Sequence, residues 1–114
     1  MTSPIPTSDR GVEILSWSGC PSHDDALAQL ERVLASIGRA EVPVTTRWVE
    51  TDEAAAAERF VGSPSYRVDD QELVPAAESE SFALTCRVYR RRDGRFSPLP
   101  DDADLRDALL AALS

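Results

Sequence analysis

A strand–helix–strand pattern near the start of the chain most constrains the fold. Residues 12–17 are mostly apolar and β-branched, and residues 42–50 repeat that character. Between them, residues 24–37 carry an amphipathic helical pattern. Two strands joined through a helix lie parallel, with a right-handed crossover. The pattern therefore predicts an α/β protein. The helix stripe comprises Leu27, Leu30, Val33, Leu34 and Ile37.

The rest of the chain continues this alternation. Residues 52–60 form a second predicted helix with an acidic first turn, which Gly62-Ser63-Pro64 interrupts before a third predicted strand at residues 65–68. Residues 102–113 form the closing helix, with Leu105, Leu109 and Ala112 facing inward. The predicted order is β-α-β-α-β-β-(β)-α around a mixed sheet. Residues 11–114 are predicted to form one domain, preceded by a flexible tail at residues 1–10.

Residues 69–90 leave two topologies open. In the first, residues 69–71 form a tight turn, residues 72–74 return as a strand, residues 75–83 form a loop, and residues 84–90 add a further strand. In the second, residues 69–83 are one long excursion and residues 84–90 are the hairpin partner. The first is favoured because it avoids a long structureless segment. Residues 96–100, which contain two prolines, are predicted to form a loop.

Charge and composition restrict the environment and the partners. Twelve basic residues against twenty acidic ones give a formal charge of −8, which disfavours nucleic acid as a partner. No stretch approaches the ~20 apolar residues of a membrane helix. Residues 1–10 lack the features of a secretory signal, so we expect a cytoplasmic protein. Two cysteines are too few for a disulfide scaffold.

The segment Ser16 to Leu30, SWSGCPSHDDALAQL, offers the candidate chemistry. Cys20 falls at the predicted helix N-cap and Pro21 at the first helical position. Backbone N–H groups there would stabilise a thiolate, and His23 could accept the thiol proton or favour the thiolate as imidazolium. Asp24 and Asp25 oppose this effect, so we expect a pKa on the order of 7. The alternative is that Cys20 is a small apolar filler.

These motifs resemble the thioredoxin superfamily. An apolar strand followed by W-S-G-C-P-S-H is similar to its active-site corner, and Gly62-Ser63-Pro64 is similar to its cis-proline segment. The strand, turn and strand after Pro64 are more like glutaredoxin. The resemblance implies that Pro64 is cis and packs against Cys20, and that the Ser63 backbone is exposed to pair with an extended thiol substrate. The implied substrate-binding residues are Trp17, Pro21, Ser63 and Pro64, with a half-buried rim position as the alternative for Trp17.

One departure from the family pattern leaves several functions open. His23 replaces the second cysteine of C-x-x-C, so Cys20 has no partner within its motif. Three alternatives stay open: Cys20 exchanges with a low-molecular-weight thiol or a protein disulfide as a monothiol, is resolved by Cys86, or binds a protein partner without turnover. The catalytic candidates are thus Cys20, His23 and Cys86, although an inert Cys86 in the core is the favoured interpretation. No cofactor is expected.

A soft-metal site is the remaining alternative. Cys20, His23 and Cys86 would supply two thiolates and an imidazole, a set suited to zinc, copper(I) or mercury. Their spacing is not that of a structural zinc site, which usually has four ligands. The leading hypothesis therefore remains thiol–disulfide exchange without a resident metal.

Overall fold

The computed structural model describes residues 11–74 and 82–113. The protein is a mixed α/β structure with three helices and two sheets in this part of the chain. The predicted tail at residues 1–10 and most of the predicted loop at residues 75–83 lie outside the described residues. The elements are β1 (Val12–Ser16), α1 (His23–Ser36), β2 (Val44–Trp48), α2 (Asp52–Ala57), β3 (Ser65–Val68), β4 (Gln71–Glu72), β5 (Tyr89–Arg90), β6 (Phe96–Ser97) and α3 (Asp102–Leu113).

The main sheet has the strand order β2-β1-β3-β4. β1 and β2 are parallel, with Val12 opposite Val44, as the strand–helix–strand pattern predicts. β3 runs antiparallel to β1, with Ile14 opposite Tyr66, so the sheet is mixed. β1 is an inner strand, and its apolar side chains are fully buried because neighbours cover it on both sides.

Both faces of this sheet are covered. Successive residues of a strand point to opposite faces, and Ile14 and Leu15 accordingly belong to two different apolar clusters. Ile14 packs in the larger cluster with residues of α1 and α3. Leu15 packs in the smaller one with Ala55 of α2 and with Phe60. The predicted inward face of α3 is confirmed: Leu105, Leu109 and Leu113 are buried, and Ala112 is partly buried.

The first helix begins two residues later than a Cys20 cap would place it. α1 starts at His23, and Ser22 is its N-cap. The prediction that Cys20 caps the helix is wrong, because its N–H donates to the Trp17 carbonyl at 3.0 Å and so closes a separate turn. The first helical hydrogen bond runs from Ala26 N–H to the Ser22 carbonyl at 2.9 Å. Pro21 therefore lies in the approach to the helix.

The first of the two topologies for residues 69–90 is confirmed at its hairpin. Asp69 and Asp70 have φ values of 52° and 64°, which is the backbone of a tight two-residue hairpin turn. This turn joins β3 to β4, which pair antiparallel, with Arg67 opposite Glu72.

The predicted strand at residues 84–90 is mostly wrong. Only Tyr89–Arg90 forms a strand, and it pairs with Phe96–Ser97, which lie within the predicted loop, in a separate two-stranded sheet. Residues 85–87 instead run beside Ser63, where a parallel bridge joins Ser63 to Cys86. Their backbone groups are thus satisfied by the segment before β3.

None of the described helices is long and apolar enough to cross a membrane.

Candidate functional site

The site forms where β1 ends and β3 begins. These strands are antiparallel neighbours, with Leu15 opposite Ser65, so the chain after β1 and the chain before β3 meet at one end of the sheet. Cys20 follows β1 there, and its Sγ lies 3.4 Å from the Ser63 carbonyl oxygen, to which the protonated thiol donates. The Ser63–Pro64 peptide bond is cis, as the resemblance implies. The topology therefore brings the Cys20 segment after β1 next to the Ser63-Pro64 segment before β3.

A second thiol completes this site. Cys86 Sγ lies 2.6 Å from Cys20 Sγ, and the Cys86 thiol donates to it. Both cysteines are free thiols, and Cys86 is exposed. The expectation that Cys86 lies in the core is therefore wrong. A disulfide bond is about 2.05 Å long, so forming one requires only a small movement of these two sulfur atoms.

The Ser63 backbone is already paired within the chain. Ser63 N–H donates to the Thr85 carbonyl at 2.8 Å, and Arg87 N–H donates to the Ser63 carbonyl at 2.8 Å. Ser63 is fully buried, so the expectation of an exposed backbone at this residue is wrong. The physical reason is that residues 85–87 satisfy both polar groups themselves. These two hydrogen bonds hold residues 85–87 beside Ser63 and thereby place Cys86 next to Cys20.

Gly62 permits this close approach. Its φ is +137°, and a Cβ atom there would lie 2.8 Å from both the N and Cα atoms of Arg87. A side chain at this position would therefore collide with the backbone that follows Cys86. Sequence reasoning assigned this glycine to the break after the second helix and, through the resemblance, to the segment that contains Pro64. Its positive φ and its neighbour depend on the tertiary structure.

Hydrogen bonds favour the thiolate at Cys20. Burial opposes ionisation of this thiol, but the Cys86 thiol and the Ser22 backbone N–H both stabilise the charged sulfur and lower the pKa of Cys20 overall. The hydroxyl groups of Ser22 and Ser63 act in the same direction. The buried Ser63 hydroxyl has no other hydrogen-bond partner within residues 11–74 and 82–113. It is therefore free to turn toward a negatively charged sulfur.

The pKa of Cys86 shifts in the opposite direction to that of Cys20. Its hydrogen bond to Cys20, its partial burial and the negative charge on Cys20 raise the pKa of the Cys86 thiol to about 11. Two thiols this close share one negative charge more easily than they hold two. Of the two thiols, Cys20 is therefore the one that ionises more readily, and its sulfur accepts a hydrogen bond from Cys86.

His23 does not contribute as expected. Its Nδ1 is hydrogen-bonded to Ser16 Oγ at 2.8 Å and its Nε2 to Thr46 Oγ1 at 3.5 Å. Its ring also packs against Trp48, with ring centroids 4.8 Å apart. The interactions that shift the pKa of Cys20 come from Ser22, Ser63 and Cys86 and not from His23. The first helical turn directs this imidazole to the ends of β1 and β2.

The remaining predicted substrate-binding residues have different surroundings. Trp17 is partly buried against the Leu15 cluster, and its indole lies over Gly19, where a Cβ atom would be 2.4 Å from the ring. Pro21 is exposed in the turn before α1. Pro64 is buried, and its carbonyl accepts a hydrogen bond from the Tyr89 hydroxyl at 2.7 Å. Among the predicted substrate-binding residues, Pro21 is the exposed one.

Arg87 and Glu72 are structural residues of the site that sequence reasoning missed. Arg87 is 4% exposed and donates to Glu72 at 3.1 Å and to the Val74 carbonyl. Side chains from Cys86 to Arg90 alternate between exposed and buried, so Arg87 and Tyr89 point inward. This two-residue period is visible in the sequence, but a buried arginine is unusual and the period alone does not indicate one.

The three-ligand metal site is not assembled. In the part of the chain that the structure describes, no three His, Cys, Asp or Glu side chains are grouped to hold a metal ion. The two thiols are together, but His23 is hydrogen-bonded to Ser16 and Thr46. Cys20 and Cys86 therefore form a two-sulfur site.

Comparison with family models, curated proteins and solved structures found no match to this chain.

Proposed function

We propose that this protein is a thioredoxin-like thiol–disulfide exchange protein in which Cys20 and Cys86 alternate between dithiol and disulfide. The observation that supports this most directly is the 2.6 Å separation of the two sulfur atoms. His23 occupies the usual position of a second cysteine in the motif, but a second thiol reaches Cys20 from elsewhere in the chain. The cycle is therefore that of a dithiol, in contrast to the monothiol expected from the motif.

The arrangement of elements is consistent with the proposed fold. β1, α1, β2, α2, β3, β4 and α3 follow the expected order, with a parallel β1–β2 pair and antiparallel β3 and β4. Cys20 lies between β1 and α1, and Pro64 immediately precedes β3. The small β5–β6 sheet is an addition to this pattern.

The proposed reaction needs only two sulfur atoms and a partner. The dithiol reduces a disulfide RSSR to two RSH, and the protein is oxidised to the Cys20–Cys86 disulfide, so two electrons and two protons leave the protein. The partner is a low-molecular-weight disulfide or a protein disulfide, and no cofactor takes part. In a reducing compartment such as the cytoplasm, small thiols would return the protein to the dithiol.

Equilibration of the protein with mixtures of reduced and oxidised glutathione tests this function. We expect the wild type to lose two hydrogen atoms in mass and both titratable thiols, with no disulfide between two chains. Cys20→Ser and Cys86→Ser should each abolish that product, whereas Thr85→Ala, beside Cys86, should retain it. A wild type that forms only intermolecular disulfides, or none, would contradict the proposal.

A non-catalytic binding module is the second candidate, favoured by one observation. Cys20 is 3% exposed, and the Ser63 backbone is occupied by the chain itself. Turnover distinguishes the two candidates: the exchange protein should reduce an aryl disulfide catalytically in the presence of a thiol, and Cys20→Ser should not. Equal rates for both proteins would favour the binding module.

A further inference from the structure

The two sulfur atoms of the site differ in access. Cys20 is 3% exposed, and its sulfur contacts the Ser63 carbonyl and Cys86. Cys86 is exposed, and it shares the outward face of its segment with Val88, which is 65% exposed. A partner that approaches the folded protein therefore meets Cys86 first.

The backbone on the Ser63 side is also closed to an external partner. An extended chain that paired with Ser63 would have to replace the hydrogen bonds from Ser63 to Thr85 and from Arg87 to Ser63. The buried side chain of Arg87 holds the segment in place through Glu72. Residues 85–87 therefore cover Cys20 while they present Cys86 to solvent.

We infer that Cys86 is the cysteine that forms the mixed disulfide with an external thiol, and that Cys20 is the buried thiolate released from it. This inference rests on the proposed function and reverses the roles that the sequence motif indicates. In the sequence motif, Cys20, the cysteine before the first helix, is the residue expected to react with the partner. In the folded protein, Cys20 is buried and Cys86 is the exposed thiol.

Reduction of the oxidised protein follows from this geometry. A partner thiolate RS⁻ attacks Cys86 Sγ, so the RS–Cys86 bond forms and the Cys20–Cys86 bond breaks. The bonding electron pair passes to Cys20, whose thiolate accepts the Ser22 N–H hydrogen bond. Access decides which sulfur is attacked, and the thiol of lower pKa is the better leaving group, so both factors favour this direction. A second RS⁻ then attacks the partner's sulfur atom, releases RSSR, and leaves Cys86 to take a proton from solvent.

Oxidation of the protein passes through the same mixed disulfide between Cys86 and the partner. Cys86 passes its proton to the Cys20 thiolate 2.6 Å away and attacks RSSR, which expels RS⁻. That RS⁻ takes the proton from Cys20 and leaves as RSH. The Cys20 thiolate then attacks Cys86 Sγ, closes the internal disulfide and releases a second RS⁻. Cys20 thus serves as base in the first step and as nucleophile in the last.

Rapid acid quenching during reduction of the oxidised wild type by glutathione tests the inference. After the quench, free thiols are alkylated, and tryptic peptides are separated by mass spectrometry. We expect glutathione on Cys86 and the alkyl group on Cys20, in at least about tenfold excess over the reverse pattern, because access selects the sulfur that is attacked. When it is treated with oxidised glutathione and then freed of small thiols, the Cys20→Ser variant should hold one glutathione on Cys86, since no buried thiolate resolves it.

Two results would overturn the inference, and they are distinguishable. Glutathione that is found mainly on Cys20, or equally on both residues, would contradict the assignment while leaving the exchange function intact. Failure of the wild type to form the internal disulfide at all would contradict the proposed function, and the inference with it.

Discussion

Arg87, which is buried, forms an ion pair with the partly buried Glu72, with 3.1 Å between Nη1 and Oε1. Its guanidinium carbon also lies 4.2 Å from the centroid of the Tyr89 ring. Glu72 accepts a second hydrogen bond at 2.5 Å from Arg67, which is itself 5% exposed. The residue after Cys86 is therefore fixed to the β3–β4 hairpin, which determines where Cys86 lies.

Replacement of Glu72 should weaken both the fold and the thiol pair. Glu72→Gln leaves two buried arginines without their shared carboxylate, and loss of one partner of a buried pair costs about 3–5 kcal/mol. We expect a loss of this order in the free energy of unfolding, measured with urea. The fraction of internal disulfide at a given glutathione ratio should also fall, because Cys86 is held less firmly.

Asp107→Asn is the matched control for this change. Asp107 pairs with Arg92 at 3.3 Å on the exposed surface, where solvent screening leaves such a pair with little effect on stability. This variant should retain the wild-type disulfide equilibrium. If the two variants were equally stable, the ion pair at Arg87 would not anchor the segment.

Substitution of Gly62 should separate the two thiols. In Gly62→Ala, the new Cβ would meet the Arg87 backbone at 2.8 Å, so residues 85–87 must move away from Ser63. We expect a cost above about 2 kcal/mol from the combination of positive φ and steric overlap, and slower formation of the internal disulfide. Denaturant unfolding and thiol titration measure the two effects.

Gly38→Ala isolates the contribution of the backbone conformation. Gly38 has a φ of +74° at the end of α1, but a Cβ atom there meets nothing within 4 Å. The Gly38→Ala substitution should lower the free energy of unfolding by about 1 kcal/mol and leave the rate of disulfide formation unchanged. A Gly62→Ala variant that behaved like Gly38→Ala would argue against close packing of residues 85–87 on Ser63.

Removal of the Cys86 thiol should raise the pKa of Cys20. Burial disfavours the Cys20 thiolate, and the Cys86 hydrogen bond is the largest of the contributions that offset it. In Cys86→Ala this donor is lost, so the thiolate should form at higher pH than in the reduced wild type. The ultraviolet absorbance of the thiolate, followed against pH, gives the midpoint. An unchanged or lower midpoint would show that Cys86 does not stabilise the Cys20 thiolate.

His23→Ala should destabilise the protein without altering the thiol. The imidazole is hydrogen-bonded to Ser16, which is fully buried, and an unsatisfied buried hydroxyl costs about 1–3 kcal/mol. We expect a loss of this size in urea unfolding and the same pH midpoint for Cys20 ionisation. A shift of that midpoint would instead support the tuning role that the C-P-S-H motif suggests for His23.

Local pattern determined the main elements of the fold. The spacing of Leu30 and Leu34 places them on the buried face of α1, and the strand–helix–strand order led to the parallel β1–β2 pair. The Asp69-Asp70 turn and the inward face of α3 were also evident from the sequence. These features depend on periodicity and turn chemistry within short segments, which the sequence contains directly.

Tertiary structure alone decided the site. Cys20 and Cys86 are 66 positions apart, and no local pattern indicates that residues 85–87 would pair with Ser63 through a parallel bridge. That path depends on Gly62, which admits the Arg87 backbone, and on Glu72, which neutralises Arg87 in the interior. The sequence by itself determined which elements form and supplied a candidate thiol. The pairing of that thiol required the assembled sheet, because the hydrogen bonds and charges that hold Cys86 in place come from β4 and from the segment before β3.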